Sequence, residues 1–219
     1  MRHIEEIYEI SRKRKGLDVL KAMLSPALTP AELANIPEDR WLSQLTKCVF
    51  QAGFNWKVIE AKWEGFEDAL EGFDVGACAF MDDAWFDSLL GDTRVVRNGA
   101  KLATIRENAS FLMGLRAQGG AGKVMGGWPS DDFTGLLDMM KSNGARLGGN
   151  TSQYALRFMG RDGWILSADV TARLIAEGII DKPATSKKAM RAVQTAFNEW
   201  MDQSDYGLTQ ISRILATSL

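Results

Sequence analysis

A paired-glycine turn between two helical patterns constrains this chain more than any other feature. Residues 145–151, Ala-Arg-Leu-Gly-Gly-Asn-Thr, follow apolar positions Phe133, Leu136, Leu137 and Met140 and precede Tyr154, Ala155, Leu156, Phe158 and Met159. Both flanks repeat at helical spacing, so the sequence predicts two helices meeting at a short hairpin, the second with a buried apolar face. Paired glycines allow positive φ and close approach to the backbone there. A single carboxylate, Asp169, arrives eighteen positions after Thr151, beyond the turn 160–163 and the apolar run Trp164-Ile165-Leu166. That places it near the start of a further helix.

The rest of the chain reads the same way. Ile4, Ile7 and Tyr8, then Leu17, Leu20 and Leu24, recur at helical spacing. Thr29-Pro30-Ala31-Glu32 has the form of a capping box with proline at the first helical position. A long helix is predicted after Pro37, with Trp41, Leu42, Leu45 and Val49 on one face. Further stripes follow at Trp63, Phe66 and Leu70, at Trp85 to Leu90, and at Leu102 to Met113. The glycine-rich run 119–129 is the clearest flexible break. The tail predicts two helices about a turn at Asp205-Tyr206-Gly207. No alternating strand pattern stands out. The expected class is all-α: a single domain over 1–219, in two helical lobes with the crossing near 119–129.

Composition excludes several functions. No apolar run approaches the roughly 20 residues of a membrane helix, and the amino terminus alternates charge with apolar residues, unlike a signal peptide. His3 is the only histidine, and Cys48 and Cys78 are the only cysteines. No zinc constellation or four-cysteine iron–sulfur loop is expected from them, and a reducing cytoplasm is the simpler setting. The formal net charge is −2, which argues mildly against nucleic acid. Basic clusters at 12–15, at Arg94 to Arg106 and at Lys182 to Arg191 can outweigh that total locally, because phosphate contacts are local.

An anion suits the hairpin. The helix beginning near Thr151 turns free N–H groups and its positive dipole end toward the turn. Leu147-Gly148-Gly149-Asn150-Thr151, followed by Asp169 and Arg173, resembles the helix-hairpin-helix and catalytic aspartate of the DNA glycosylase superfamily that includes endonuclease III. The resemblance departs at Gly148, where the family carries proline, and at Thr151, where it carries a second glycine. It implies that Gly148, Gly149, Asn150 and Thr151 hold a DNA phosphate, and that a sodium or potassium ion could sit on the turn's carbonyls. It also implies that Asp169 faces the sugar of an extruded nucleotide. Superfamily members that cut the backbone carry a nucleophilic lysine early in the second helix. Gln153 stands at that position, and an amide cannot form a Schiff base. The expected activity is therefore monofunctional, without lyase cleavage.

The amino-terminal half carries a second resemblance. Residues 51–56, Gln-Ala-Gly-Phe-Asn-Trp, lead to Phe73-Asp74 and on through 95–101 to Leu112. Roughly from 41 to 115, this is similar to the 3-methyladenine DNA glycosylase I family. The likeness implies that Trp56 stacks on the extruded base, that Gly53 and Phe54 form the wedge into the duplex, and that Cys48 and Gln51 complete the base pocket. Cys48 occupies the place of that family's base-recognising glutamate, so 3-methyladenine specificity does not transfer.

The combined expectation is a monomeric, cytoplasmic base-excision repair enzyme with the helix-hairpin-helix DNA glycosylase fold. It would act on double-stranded DNA carrying a damaged base, with alkylated purines first, and need no cofactor or membrane. The alternatives are a non-catalytic DNA-binding or lesion-recognition protein on the same scaffold, and an all-α protein-interaction domain whose glycine turn is incidental.

Overall fold

Helix starts in this chain are set by short polar residues. In a computed structural model describing residues 1–219, Thr29 Oγ1 accepts from the Glu32 N–H at 3.2 Å, and the Glu32 carboxylate accepts from the Thr29 N–H at 2.7 Å. This is the capping box expected there, with Pro30 opening the helix. Asn55, Asp74, Asp82, Asn98, Asp132, Ser167 and Ser186 cap other helices through their side chains. The lone histidine is used in the same way: His3 Nδ1 accepts from the Glu5 N–H at 3.3 Å.

The chain is helical throughout, without strands. The order begins α1 (Ile4–Lys15), α2 (Leu17–Met23), α3 (Pro30–Ala34), α4 (Glu38–Gln51), α5 (Trp56–Ala61), α6 (Trp63–Ala69) and α7 (Val75–Ala79). It continues with α8 (Asp83–Gly91), α9 (Gly99–Leu115), α10 (Ala121–Gly126), α11 (Phe133–Asn143) and α12 (Asn150–Phe158). The last three are α13 (Ala168–Ala176), α14 (Lys187–Asp202) and α15 (Leu208–Thr217).

Two lobes result. In the first, α4 buries Trp41, Leu42, Leu45 and Val49 and packs on α7, α9 and α10, with α3 against α10. In the second, the termini meet: α1 lies on α15, which also contacts α13 and α14, while α11 joins α12 to α14. Helix α12 of the second lobe packs directly on α4 of the first. Apolar burial is continuous across both lobes in one cluster, which supplies the main stabilisation.

The expected flexible break at 119–129 is instead ordered, and it contains α10. Gly122 and Gly126 stand four residues apart on one helix face. A Cβ at Gly122 would collide with the Leu33 carbonyl, and one at Gly126 with the Leu33 side chain. These glycines therefore permit close packing of α10 on α3. From the second lobe, buried Arg161 donates to the carbonyls of Met125, at 3.0 Å, and of Trp128. The crossing is pinned.

The turn 160–163 is a hub. Besides Arg161, the Asp162 carboxylate accepts from the N–H groups of Leu208 (3.0 Å) and Thr209 (2.8 Å), capping α15. Thr209 Oγ1 accepts from the Gly163 N–H at 3.1 Å. Segment 164–167 therefore enters α13 from a fixed point.

Candidate DNA-binding and catalytic site

The hairpin turn is built around one backbone position. Gly149 adopts φ 57°, ψ −135°, a region that side chains with a Cβ avoid. No atom lies within 4 Å of where its Cβ would stand, so the backbone there is open to an approaching group. Arg146, just upstream, also has positive φ, at 57°. The turn is held from inside. Ser152 Oγ donates to the Leu147 carbonyl, and the Thr151 N–H donates to the Gly148 carbonyl at 3.3 Å.

Three side-chain amides, two of them buried, tie this hairpin to its surroundings. Asn108, on α9 and fully buried, accepts from the Ala145 N–H at 2.8 Å and donates to the Ala145 carbonyl at 3.2 Å. Gln153 is also buried. Its Nε2 donates to the Gly149 carbonyl at 3.2 Å, and its Oε1 accepts from the Leu166 N–H at 2.7 Å. Asn150 Nδ2 donates to the Leu166 carbonyl at 3.2 Å. Together Asn150 and Gln153 satisfy both backbone groups of Leu166, as a neighbouring strand would.

That bond pair carries the hairpin to Asp169. Leu166 is followed by the cap Ser167, and Asp169 lies in the first turn of α13, exposed to solvent. Its carboxylate accepts no hydrogen bond and pairs with no cation within the chain. Arg173, one turn on, has a different role. It is buried and donates to Ser218 Oγ (2.8 Å), to the Ser218 carbonyl and to Glu177 (3.2 Å), fastening the chain's end to α13. Burial alone would raise the Glu177 carboxyl, but the Arg2 N–H and guanidinium, helped by Arg173, hold it below the usual carboxylate range.

Trp56, at the start of α5, packs against α12. It is 42% exposed and therefore not a core residue. Its ring meets Tyr154 edge-on at 5.3 Å between centroids and Phe158 at 6.1 Å. The expected buried face of α12 is thus corrected: Ala155, Leu156 and Met159 are buried, whereas Phe158 is 49% exposed. With Trp56 it makes an open aromatic cluster. The 3.6-residue period placed these residues on α12, but Trp56 at the start of α5 covers only part of that face.

Gly53 and Phe54 are also exposed, in the turn between α4 and α5, with Gly53 at φ 76°. The residue that shapes this turn was not singled out from sequence. Lys101, on α9, is buried, and its Nζ donates to the carbonyls of Val49 (2.8 Å), Phe50 (3.1 Å) and Ala52 (2.6 Å). These carbonyls end α4, where the helix dipole favours a cation. The same ammonium lies 4.4 Å from the Phe54 ring centroid. Burial, and to a lesser extent Arg146, lower the Lys101 ammonium from its ordinary value.

Cys48 and Gln51 lie beneath the surface, each under 5% exposed. Burial pushes the Cys48 thiol up to about 11, only partly opposed by the Gln44 amide, so it is a neutral, weakly polar wall at physiological pH. Gln51 Nε2 donates to Glu60 at 3.1 Å, while its Oε1 has no partner. Glu60 in turn pairs with Lys47 at 2.7 Å.

Residues 36–124 match the methyladenine glycosylase family, which bears out the resemblance read in that part of the chain. A direct search among curated proteins gives no match. Among solved structures, a tyrosine-to-phenylalanine variant of 3-methyladenine DNA glycosylase I in complex with 3-methyladenine is 19% identical. It covers 64% of this chain and 80% of that one, with a TM-score of 0.50. The Methanocaldococcus jannaschii 8-oxoguanine glycosylase/lyase, bound to a 15mer DNA containing 8-oxoguanine, is 15% identical. It covers 97% of this chain and 94% of its own, with a TM-score of 0.53. The same organism's 8-oxoguanine DNA glycosylase covers 95% and 89% at 15% identity, with a TM-score of 0.51. The fold is that of the helical DNA glycosylases, over both lobes. No helix is long and apolar enough to cross a membrane.

Proposed function

We propose that this protein is a monofunctional DNA glycosylase that hydrolyses the N-glycosidic bond of a damaged base, foremost an alkylated purine, in duplex DNA. The observation that carries the reading is the Asn150–Gln153 clamp on Leu166, which couples a phosphate-ready hairpin to an unpaired carboxylate three residues further on.

In this mechanism Gly148, Gly149, Asn150 and Thr151 present their backbone to a phosphate. Gly53 and Phe54 wedge the duplex, and the extruded base stacks on Trp56. Stacking recovers part of the few kcal/mol that flipping costs. The bond from C1′ to the base nitrogen breaks, and its electron pair leaves with the base. Positive charge on the sugar is stabilised by Asp169, which orients water and takes its proton as the oxygen bonds to C1′. A cationic alkylpurine leaves readily and suits an aromatic platform. Gln51 Oε1, buried without a partner, would accept from a donor on the base edge once the base has opened a path to it.

Gln153 supports the absence of lyase chemistry twice over, since it lacks an amine and both ends of its amide are engaged in holding backbone. A sodium or potassium ion at the hairpin would be held by the carbonyls of Leu147, Gly148 and Gly149, each of which already accepts a hydrogen bond, and would supply positive charge toward a phosphate. No step depends on it.

The test is base release from duplexes carrying alkylated, deaminated or oxidised bases, wild type beside Asp169→Asn. The expected result is free base and abasic sites that break only in alkali, with release lost in the variant while DNA binding persists. Binding without release from any lesion would instead identify a lesion-recognition protein on this scaffold.

A further inference from the structure

A cavity of about 670 Å³ lies beside the hairpin, away from Trp56. One wall is Gly148, Gly149 and Asn150. The facing wall is the start of α14, with Lys187 and Arg191, and α11 contributes Lys141. The Lys141 stem runs beside Gly148, within 4.0 Å of where a Cβ would stand. None of these three cations forms an ion pair or a hydrogen bond within the chain, unlike Arg40, Arg94 and Arg116 elsewhere. Of the two carboxylates on the wall, Asp132 is committed to Trp128 Nε1 (3.1 Å) and the Gly135 N–H (3.2 Å). Asp132 and Asp138 together offset two of the three positive charges, which leaves the lining net positive by one. The cavity is therefore cationic, in a chain whose net charge is −2, and it adjoins open backbone at Gly149.

We infer that this cavity binds phosphate groups adjacent to the one facing the hairpin, with Lys141, Lys187 and Arg191 as their counter-charges. The inference rests on the glycosylase reading for its preferred ligand, the backbone of the bound DNA strand. A free phosphate or mononucleotide offers the same chemistry. The α14 side of the cavity thus extends the DNA footprint from a single turn to a groove shared by α11, the hairpin and α14.

The experiment is duplex binding across a range of salt, wild type beside Lys187→Gln/Arg191→Gln, together with thermal shifts in inorganic phosphate and in deoxynucleoside monophosphate. Both substituted side chains are exposed, so the variant folds. Each lost phosphate contact lowers the slope of log affinity against log salt by about 0.9, so the double variant loses close to two. A reduced slope establishes the strand as ligand. An unchanged slope, with the wild type but not the variant stabilised by phosphate or the mononucleotide, establishes the free anion. An unchanged slope with no phosphate-dependent stabilisation overturns the inference. If the wild type binds no duplex, the glycosylase reading fails and the phosphate arm alone decides the cavity.

Discussion

The hairpin and the segment 52–58, the two parts proposed to meet DNA, are built by opposite rules. Around the hairpin, polar side chains are turned inward. Asn108, Ser152 and Gln153 are buried and each is bonded to backbone. At 52–58 the apolar side chains are turned outward, with Phe54, Trp56 and Val58 each about two-fifths exposed or more, and the support comes from below through Lys101. Buried polar groups cost free energy unless fully satisfied, so a network of them specifies one geometry. Exposed aromatics specify little by themselves and leave a surface for a ligand to cover. The hairpin region is a frame; the aromatic turn is a contact.

The contrast is broken most severely by removing an acceptor from the frame. Gln153→Lys would supply the amine that the hairpin's resemblance to lyase enzymes implies at this position. Here it leaves the Leu166 N–H without a partner and buries a charge. The expected loss is about 3 kcal/mol, read as a fall in melting temperature, and no alkali-independent strand cleavage appears. Strand cleavage by a stably folded variant would show that the clamp is dispensable and that the frame is not what positions the chemistry.

Lys101→Met tests the support under the contact. Three carbonyls at the end of α4 lose their shared donor, at a cost of about 2 kcal/mol. DNA affinity is expected to fall further than stability predicts, because the turn carrying Gly53 and Phe54 loses its anchor. Binding unchanged at a temperature where the variant is folded would separate Phe54 from the wedge.

Glu177→Gln sharpens the comparison at the far end of α13, where Arg2 and Arg173 hold the carboxylate below its usual range. A group depressed on folding stabilises at neutral pH, and its contribution is lost as pH falls through the carboxylate range. The variant should be less stable by about 1 kcal/mol near pH 7, and the two stability curves should converge on acidification toward about pH 3. Parallel curves would mean that Glu177 is not the acid-sensitive tie between the amino terminus and the helix bearing Asp169.

Much of the frame's location was legible in sequence, and little of its mechanism. Helical spacing and the Thr29–Glu32 box gave the elements because their causes lie within a few residues. Gly148-Gly149 marked the turn because positive φ leaves few alternatives. The partners of Asn108 and Gln153 were not legible, since they lie 37 and 13 residues away and amides carry no periodic signature. Gln153 stood out only as a missing lysine. The run 119–129 misled for a related reason: glycine marks close packing as readily as flexibility, and only Leu33 of α3 decides between them. The family match ends at 124, so Asp169 and the hairpin rest on local chemistry and on the fold alone.

The smallest expected stability effect falls on the most conspicuous residue. Trp56 touches Tyr154 and Phe158 edge-on and leaves much of its ring in water. Trp56→Ala should therefore change stability by about 0.5 kcal/mol or less, as surface substitutions do. As a stacking platform the same ring contributes about 1–3 kcal/mol per base, so base release should slow by roughly tenfold to a hundredfold while undamaged duplex binds almost as before. Trp56→Phe should restore most of the rate, since a π-face is retained. A variant whose melting temperature falls steeply while base release is unchanged would make Trp56 part of the frame after all.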